Sequence, residues 1–337
     1  MLLNSWSLAL SLSGLLVIFL LAVAARSALR VIRHWNPASD DSLQIGLESE
    51  IWLSSTLVAY ALAIQITSLV LFVMAADSFA QVLSGAMCAT GALLANQFGM
   101  PALLVKLVGV FLYGFWLVIH HLDIRSQHYP LVRVKSWYLL LILPWLGLDL
   151  TLQTLYLLRL DPEVITSCCA VVFSSATAGS QLLAELDGEL IFWPFYATIA
   201  GLLLVGVLLG WRQERAGAWL YPIYGITWLL FLPLALLAVT VAVSSYIYAM
   251  PFHNCPFCIL QSEYGYIGFA IYGTLLPAAF FGLVAPLVGL FRARPGLAAP
   301  VADLRRFALV ASLTLLLLFT LFASFHYLRY LLLGGEV

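Results

Sequence analysis

Five cysteines are the residues of this chain best suited to chemistry. They are Cys88, the adjacent pair Cys168 and Cys169, and the pair Cys255 and Cys258, which encloses Pro-Phe. Two cysteines separated by two residues can close a redox-active disulfide, bind a metal ion or pin a loop. The spacing alone leaves these chemistries open, so the elements that position the cysteines have to be considered next.

Composition predicts an α-helical integral membrane protein. Hydrophobic residues make up 63% of the chain and charged residues only 9%. Uncharged runs reach the length of about 20 residues that a helix needs to cross a bilayer, and the short alternating segments of a β-barrel are absent from the sequence. The net charge of −1 and the lack of a basic tail give no indication of nucleic-acid binding.

The hydropathy pattern predicts eight transmembrane helices, with both termini on the outer side. Twelve of the fifteen basic residues fall at the inner ends or inner connections when the chain is oriented in this way. The surroundings expected are a lipid bilayer, here a bacterial inner membrane with the periplasm outside. The predicted spans are 7–31, 51–76, 102–121, 136–158, 190–210, 219–249, 262–291 and 306–331.

All five cysteines then lie at the outer edge of a single membrane domain covering residues 1–337. Three segments, 78–100, 164–184 and 250–262, are predicted to form a cap of short interfacial helices that carries them. The outer face is oxidising, which permits disulfide bonds. Because Cys255 and Cys258 would directly precede a span beginning near Ser262, we expect the helix dipole to favour a reactive thiolate there.

Residues 255–261, Cys-x-x-Cys-Ile-Leu-Gln, resemble the active-site segment of DsbB-type membrane proteins and, more distantly, that of vitamin K epoxide reductase-type proteins. The resemblance implies a thiol–disulfide oxidoreductase whose Cys255/Cys258 pair is oxidised by a membrane quinone. Electrons would arrive from an external protein thiol through shuttle cysteines, drawn from Cys88, Cys168 and Cys169. Gln261 matches the glutamine of these families, whereas Ser262 stands where an arginine usually follows.

The following span begins with residues suited to a quinone site. Its aromatic side chains could line a flat headgroup, although aromatic residues at this depth are also typical of the membrane interface. A carboxyl group there could supply protons. The predicted quinone-binding residues are Gln261, Glu263, Tyr264, Tyr266 and Tyr272.

Two alternatives to redox catalysis remain open. Thiolate, thioether and imidazole groups together suit Cu(I), so the protein could bind copper or pass it to an external metal-binding protein. The ligands predicted for that case are Met87, Cys88, Met250, His253, Cys255 and Cys258. In the other alternative, disulfide bonds only staple the cap of a structural membrane subunit, and an odd number of cysteines leaves at least one outside any such pairing.

Asp149 is predicted to lie inside the fourth span, where a carboxyl group is costly. Lys106 enters the third span, so the two side chains form a buried ion pair or a proton relay if their helices are neighbours. The histidines are not placed at one depth on separate spans, as a bis-histidine haem site requires. No haem is therefore expected.

Overall fold

The computed structural model describes residues 4–36, 41–126, 129–161, 188–211, 219–249, 253 and 255–333. These residues form helices and turns, and no strand is found among them. Eight helices within the described residues are long and apolar enough to cross a membrane. The predicted class, an all-helical membrane protein with eight spans, is confirmed at this level.

Contacts divide the chain into two compact units. Unit 1 comprises Met1–Thr166 with Ala293–Pro300, and unit 2 comprises Ser167–Arg292 with Val301–Val337. Each unit contains four of the eight long helices, when a helix is assigned to the unit that holds most of its length. The prediction of a single membrane domain is not tested by this division.

Unit 1 contains four long helices and one short one. The short helix occupies part of predicted cap segment 78–100, and only six of those residues form a helix separate from the spans. Consecutive long helices pack side by side, and α1 also packs on α5. The helices are α1 (Ser5–His34), α2 (Ser42–Ala80), α3 (Ala89–Leu94), α4 (Gly99–Asp123) and α5 (Val132–Leu158).

Unit 2 is built from helices that depart more often from regular geometry. A π-helical turn, Val239–Val243, interrupts the second of its spans. Two 3₁₀ turns, Cys258–Leu260 and Ser262–Tyr264, precede the third span. The α-helices are α6 (Gly188–Trp211), α7 (Leu220–Ala238), α8 (Ser244–Tyr248), α9 (Ile267–Gly289) and α10 (Ala298–Leu333), the last of which begins in the unit 1 segment.

Large apolar side chains remain exposed along the helices, as contact with lipid requires. Leu12 and Leu15 on α1, Leu141 on α5 and Leu204 on α6 are each more than 60% exposed. Soluble proteins rarely leave such continuous apolar surface open to water. The buried face of unit 1 contains small and branched residues such as Val17, which is fully buried.

Candidate functional site

Cys255 and Cys258 converge in unit 2. Their sulfur atoms lie within 4.8 Å of one another, and the two residues are only 2% and 6% exposed. No disulfide bond is formed among the cysteines that the structure describes. A disulfide requires a sulfur–sulfur distance of about 2.05 Å, so the two atoms would have to approach each other further for the bond to close.

Two tyrosine hydroxyls hold the backbone of residues 255–258, which we call the cysteine loop. Tyr248, at the end of α8, donates a hydrogen bond to the carbonyl of Cys255 at 2.5 Å. Tyr272, on α9, donates to the carbonyl of Pro256 at 2.8 Å. The loop is therefore tied to the helices on both sides of it.

The π-helical turn contributes to this arrangement. An extra residue in a helical turn rotates everything that follows it, and such turns are frequent at functional sites. Here the turn ends at Val243, directly before Ser244. The Ser244 hydroxyl lies 3.5 Å from the His253 carbonyl, so the helix downstream of the π turn faces the cysteine loop with both Ser244 and Tyr248.

The span after the cysteines begins later than predicted. Helix α9 starts at Ile267 rather than near Ser262. Gly265 and Tyr266 both have left-handed backbone angles, with φ of 62° and 57°, and this conformation cannot continue a right-handed helix. Cys258 instead begins a three-residue 3₁₀ turn, which is too short to supply the helix dipole that the sequence argument invoked.

The predicted quinone-binding residues are spread around the loop. Glu263 and Tyr266 are exposed, and Tyr266 packs loosely against Phe269, with ring centroids 6.3 Å apart. The Tyr264 ring packs on Tyr248 at 4.6 Å. Burial raises the pKa of the Tyr264 phenol, and the neighbouring groups of Cys258, Glu263 and Cys255 add to that shift, so this hydroxyl stays protonated.

Gln261 and Tyr272 contact the loop in different ways. The backbone N–H of Gln261 donates to the Cys258 carbonyl at 3.0 Å, and its own carbonyl accepts from Tyr264 at 3.2 Å. Tyr272 is the predicted residue with a direct structural role, since it binds the Pro256 carbonyl.

Three further residues predicted as metal ligands, His253, Cys88 and Met87, lie within the described residues. The His253 ring packs on Tyr248 at 4.3 Å, and burial lowers the pKa of its imidazole, so the neutral, ligating form is favoured. Cys88 is buried at the start of α3, whereas Met87 is 68% exposed. Cys168, Cys169, Met250 and cap segment 164–184 lie outside the described residues.

Lys106 and Asp149 are brought together inside unit 1. The Lys106 Nζ lies 2.9 Å from an Asp149 carboxylate oxygen, and both side chains are 1% exposed. Lys106 also donates to the Ser68 hydroxyl at 3.0 Å, and the Gln65 amide donates to the second Asp149 oxygen at 2.7 Å. The Tyr113 hydroxyl lies 3.4 Å from that same oxygen. The pair therefore joins α2, α4 and α5.

A second buried ion pair was missed by the sequence argument. Lys135 Nζ lies 2.8 Å from Asp123, and the two side chains are 5% and 0% exposed. The other Asp123 oxygen accepts the backbone N–H of Leu131 at 2.8 Å. Lys135 was assigned to an inner loop by its charge. The signal that could have revealed the pair is a carboxylate ending one span and a lysine opening the next, because a short connection brings such residues together.

Neither protein-family models nor curated proteins nor solved structures give a match to this chain. The family resemblance of the Cys-x-x-Cys segment consequently rests on residues 255–261. The chemistry and geometry of the described residues have to carry the functional conclusion.

Proposed function

We propose that Cys255 and Cys258 form a membrane thiol–disulfide centre that exchanges electrons with a quinone. The observation that supports this most strongly is the approach of the two sulfur atoms to within 4.8 Å, on a loop whose backbone is fixed by Tyr248 and Tyr272. A fixed backbone with adjacent thiols favours reversible closure, since forming and breaking the bond moves little else.

The proposed reaction is balanced in electrons and protons. The two thiols form a sulfur–sulfur bond and release two electrons and two protons, which convert the quinone to a quinol. The electron pair that reduces the disulfide again comes from a dithiol of an external protein by successive thiol–disulfide exchange steps, and that protein leaves oxidised. One turnover thus moves an electron pair from protein thiols to the quinone.

Burial separates the two halves of this reaction. Cys255 and Cys258 are too enclosed for a protein thiol to reach directly, whereas a quinone is a small molecule that dissolves in the bilayer. We therefore assign exchange with the protein partner to a shuttle cysteine. Cys88 is also buried, so Cys168 and Cys169 are the favoured shuttles.

Soft-metal binding is the second candidate, and one observation favours it. Two thiolates bound to one zinc-sized ion, each at about 2.3 Å, lie up to ~4.6 Å apart, a separation close to the limit seen for Cys255 and Cys258. The His253 ring packs on Tyr248, and the Tyr248 hydroxyl donates to the Cys255 carbonyl, so Tyr248 connects His253 to the cysteine loop. Thiolate and imidazole ligands both suit copper, so Cu(I) is the ion that we expect at this position.

The deciding experiment measures thiols, metal and quinol in the same purified protein. The reduced protein is incubated with a soluble ubiquinone analogue, and the peptide containing residues 255–258 is examined by alkylation and mass spectrometry. Redox function predicts an internal disulfide and one quinol per protein. Cys255→Ser and Cys258→Ser should abolish both, whereas Ser262→Ala, at a neighbouring exposed position, should not.

Two other results would overturn the redox proposal. Stoichiometric copper with both thiols reduced, and with no quinol formed, would establish the metal-binding alternative. Unreactive thiols with neither metal nor quinol would exclude both functions for this pair. Copper binding should in addition be weakened by His253→Ala, which the redox reaction should tolerate.

The hydrogen bonds from Tyr248 and Tyr272 to the cysteine loop, here called the tyrosine clamp, can be tested separately. Tyr272→Phe removes the hydrogen bond to the Pro256 carbonyl while preserving the ring, so we expect faster alkylation of Cys255 and Cys258 by a membrane-permeant maleimide. Tyr266→Phe is the matched control, because Tyr266 is exposed and makes only a loose ring contact. Equal alkylation rates in the two variants would show that the clamp does not position the thiols.

A further inference from the structure

Unit 1 contains a cleft that the thiol chemistry does not use. Its volume is about 480 Å³, which is within the range of about 300–1,000 Å³ typical of ligand sites. It lies at the end of the bundle where α1 connects to α2 and α4 connects to α5. Residues from both of these hairpins line it, including Trp35, Glu48, Trp52, His120, Tyr129 and Lys135.

The cleft has a basic group at its buried part and an acidic group at its exposed part. Lys135 is 4% exposed, and Glu48 lies on the exposed surface of α2. Two further charged residues lie near Lys135. Lys135 is paired with Asp123 at 2.8 Å, and the Arg133 guanidinium donates to the Trp35 carbonyl at 2.6 Å at the same end of the bundle.

Lys135 and Glu48, which both line the cleft, carry opposite charges, and this argues against a ligand that carries a net charge. An anion would be attracted by Lys135 but repelled by Asp123 and Glu48. A cation would be attracted by the two carboxylates but repelled by Lys135. A zwitterion satisfies both ends, with its negative group toward Lys135 and its positive group toward Glu48. Lys135 has three N–H donors, so one interaction with Asp123 leaves others for a ligand.

The aromatic walls indicate an amphiphile rather than a water-soluble zwitterion. Trp52, in the third turn of α2, is 70% exposed, and Tyr129, between α4 and α5, is 38% exposed. Tryptophan and tyrosine are enriched at membrane interfaces. An ammonium group beside an indole face also gains a cation–π interaction. The ligand that combines these properties is a phospholipid with a zwitterionic headgroup.

We propose that this cleft binds the headgroup of phosphatidylethanolamine, with the phosphate toward Lys135 and the primary ammonium between Glu48 and Trp52. The primary ammonium distinguishes this lipid from phosphatidylcholine, whose quaternary ammonium has no N–H to donate to the Glu48 carboxylate. Phosphatidylglycerol lacks the cation altogether. The site is independent of the cysteine chemistry, because each of its residues belongs to unit 1.

The test compares lipid retention by native mass spectrometry. Protein is reconstituted in nanodiscs that contain equal parts of phosphatidylethanolamine, phosphatidylcholine and phosphatidylglycerol with identical acyl chains, then released into detergent. We expect one phosphatidylethanolamine to be retained preferentially. Loss of a charge-assisted hydrogen bond in Glu48→Gln should reduce that retention about tenfold, and Trp52→Ala should also reduce it.

Glu50→Gln provides the matched control on the same helix. Glu50 faces Arg30 at 3.2 Å and does not line the cleft, so its substitution should leave retention unchanged. Both glutamates are on the helix surface, and neither variant is expected to unfold the protein. Equal retention of the ethanolamine and choline lipids, or equal retention by the Glu48→Gln and Glu50→Gln variants, would overturn the proposal.

Discussion

Unit 1 and unit 2 are both bundles of apolar helices, but they satisfy their buried polar groups by different means. Every charged residue that is buried in the described part of the chain lies in unit 1, as Lys106–Asp149 and Lys135–Asp123. The buried polar side chains described in unit 2 are hydroxyls. One example is Ser312, which donates to the Ala278 carbonyl at 2.9 Å.

The two ion pairs of unit 1 have opposite polarity. Helix α4 contributes the lysine at one level and the aspartate at the other, and α5 contributes the reverse. On α5, Lys135 and Asp149 are separated by fourteen residues, or about 21 Å along a helix. Sliding α4 along α5 would break both pairs at once, so the pairs specify the register of these helices.

Unit 2 contains more irregular helices. Prolines interrupt α6, α7 and α9 at Pro194, Pro233, Pro277 and Pro286, whereas Pro144 is the corresponding interior proline described in unit 1. Proline removes a backbone donor, and the Pro194 carbonyl also accepts a hydrogen bond from the Thr198 hydroxyl at 2.7 Å. Buried charge therefore fixes register in unit 1, whereas the proline-containing helices of unit 2 pack through hydroxyls and aromatic rings, with no buried charge among their described residues.

The largest effect on stability is expected from breaking the Lys106–Asp149 ion pair of unit 1. Lys106→Met leaves Asp149 buried without its cation, so the free energy of unfolding should fall by about 3–5 kcal/mol. The measurement is equilibrium unfolding in mixed micelles of detergent and dodecyl sulfate. The double variant Lys106→Met/Asp149→Leu should recover most of the loss. Additive losses in the two single variants would contradict the ion-pair interpretation.

A packing change in unit 2 should have the next largest effect. A methyl group added at Gly282 would overlap the Trp228 ring, and overpacking of this kind costs about 1–3 kcal/mol. Gly273, on the same helix, has open space around the added carbon. Thermal unfolding followed by circular dichroism should therefore show a lower midpoint for Gly282→Ala than for Gly273→Ala, and equal midpoints would show that close packing at Trp228 is not limiting.

A buried hydroxyl of unit 2 should contribute less to the free energy of unfolding than a buried charge of unit 1. Ser312→Ala removes the donor to the Ala278 carbonyl and a 3.1 Å contact with the Tyr224 hydroxyl. We expect a loss of about 1 kcal/mol in the free energy of unfolding, the usual contribution of a neutral hydrogen bond. A loss as large as that of Lys106→Met, measured in the same micelles, would remove the distinction between the units.

The smallest effect is expected at the surface of unit 1. Arg30 and Glu50 are 3.2 Å apart, but their side chains are 67% and 32% exposed. Glu50→Gln should therefore change the free energy of unfolding by less than about 1 kcal/mol, and by still less at high salt because exposed ion pairs are screened. A salt-independent loss of several kcal/mol would show that exposure does not govern the strength of the ion pairs.

Much of the fold could be predicted from the sequence, because span length and apolar character are local properties. Each of the eight predicted spans overlaps an observed helix. The boundaries were less predictable. Helix α2 begins at Ser42, whereas the prediction began at residue 51, because its first turns carry polar residues outside the apolar core. Helix α9 begins late because Gly265 and Tyr266 adopt left-handed angles, which hydropathy does not reveal.

The candidate site was predictable in its residues but not in its geometry. The Cys-x-x-Cys spacing identified Cys255 and Cys258, since that pattern is local. The hydrogen bonds from Tyr248 and Tyr272 could not be predicted, because they depend on a π turn and on the approach of two helices. Asp123 was overlooked because a carboxylate at the end of a span normally faces water.

By itself, the sequence determined that this chain forms membrane-crossing helices and that its cysteines are the groups most suited to redox or metal chemistry. These conclusions follow from composition and short-range spacing. Tertiary packing brings Lys106 to Asp149 and Lys135 to Asp123, and it places an aromatic-walled cleft beside the second of these pairs. Such contacts join residues far apart in the chain, and only the packing of whole helices fixes which side chains face one another.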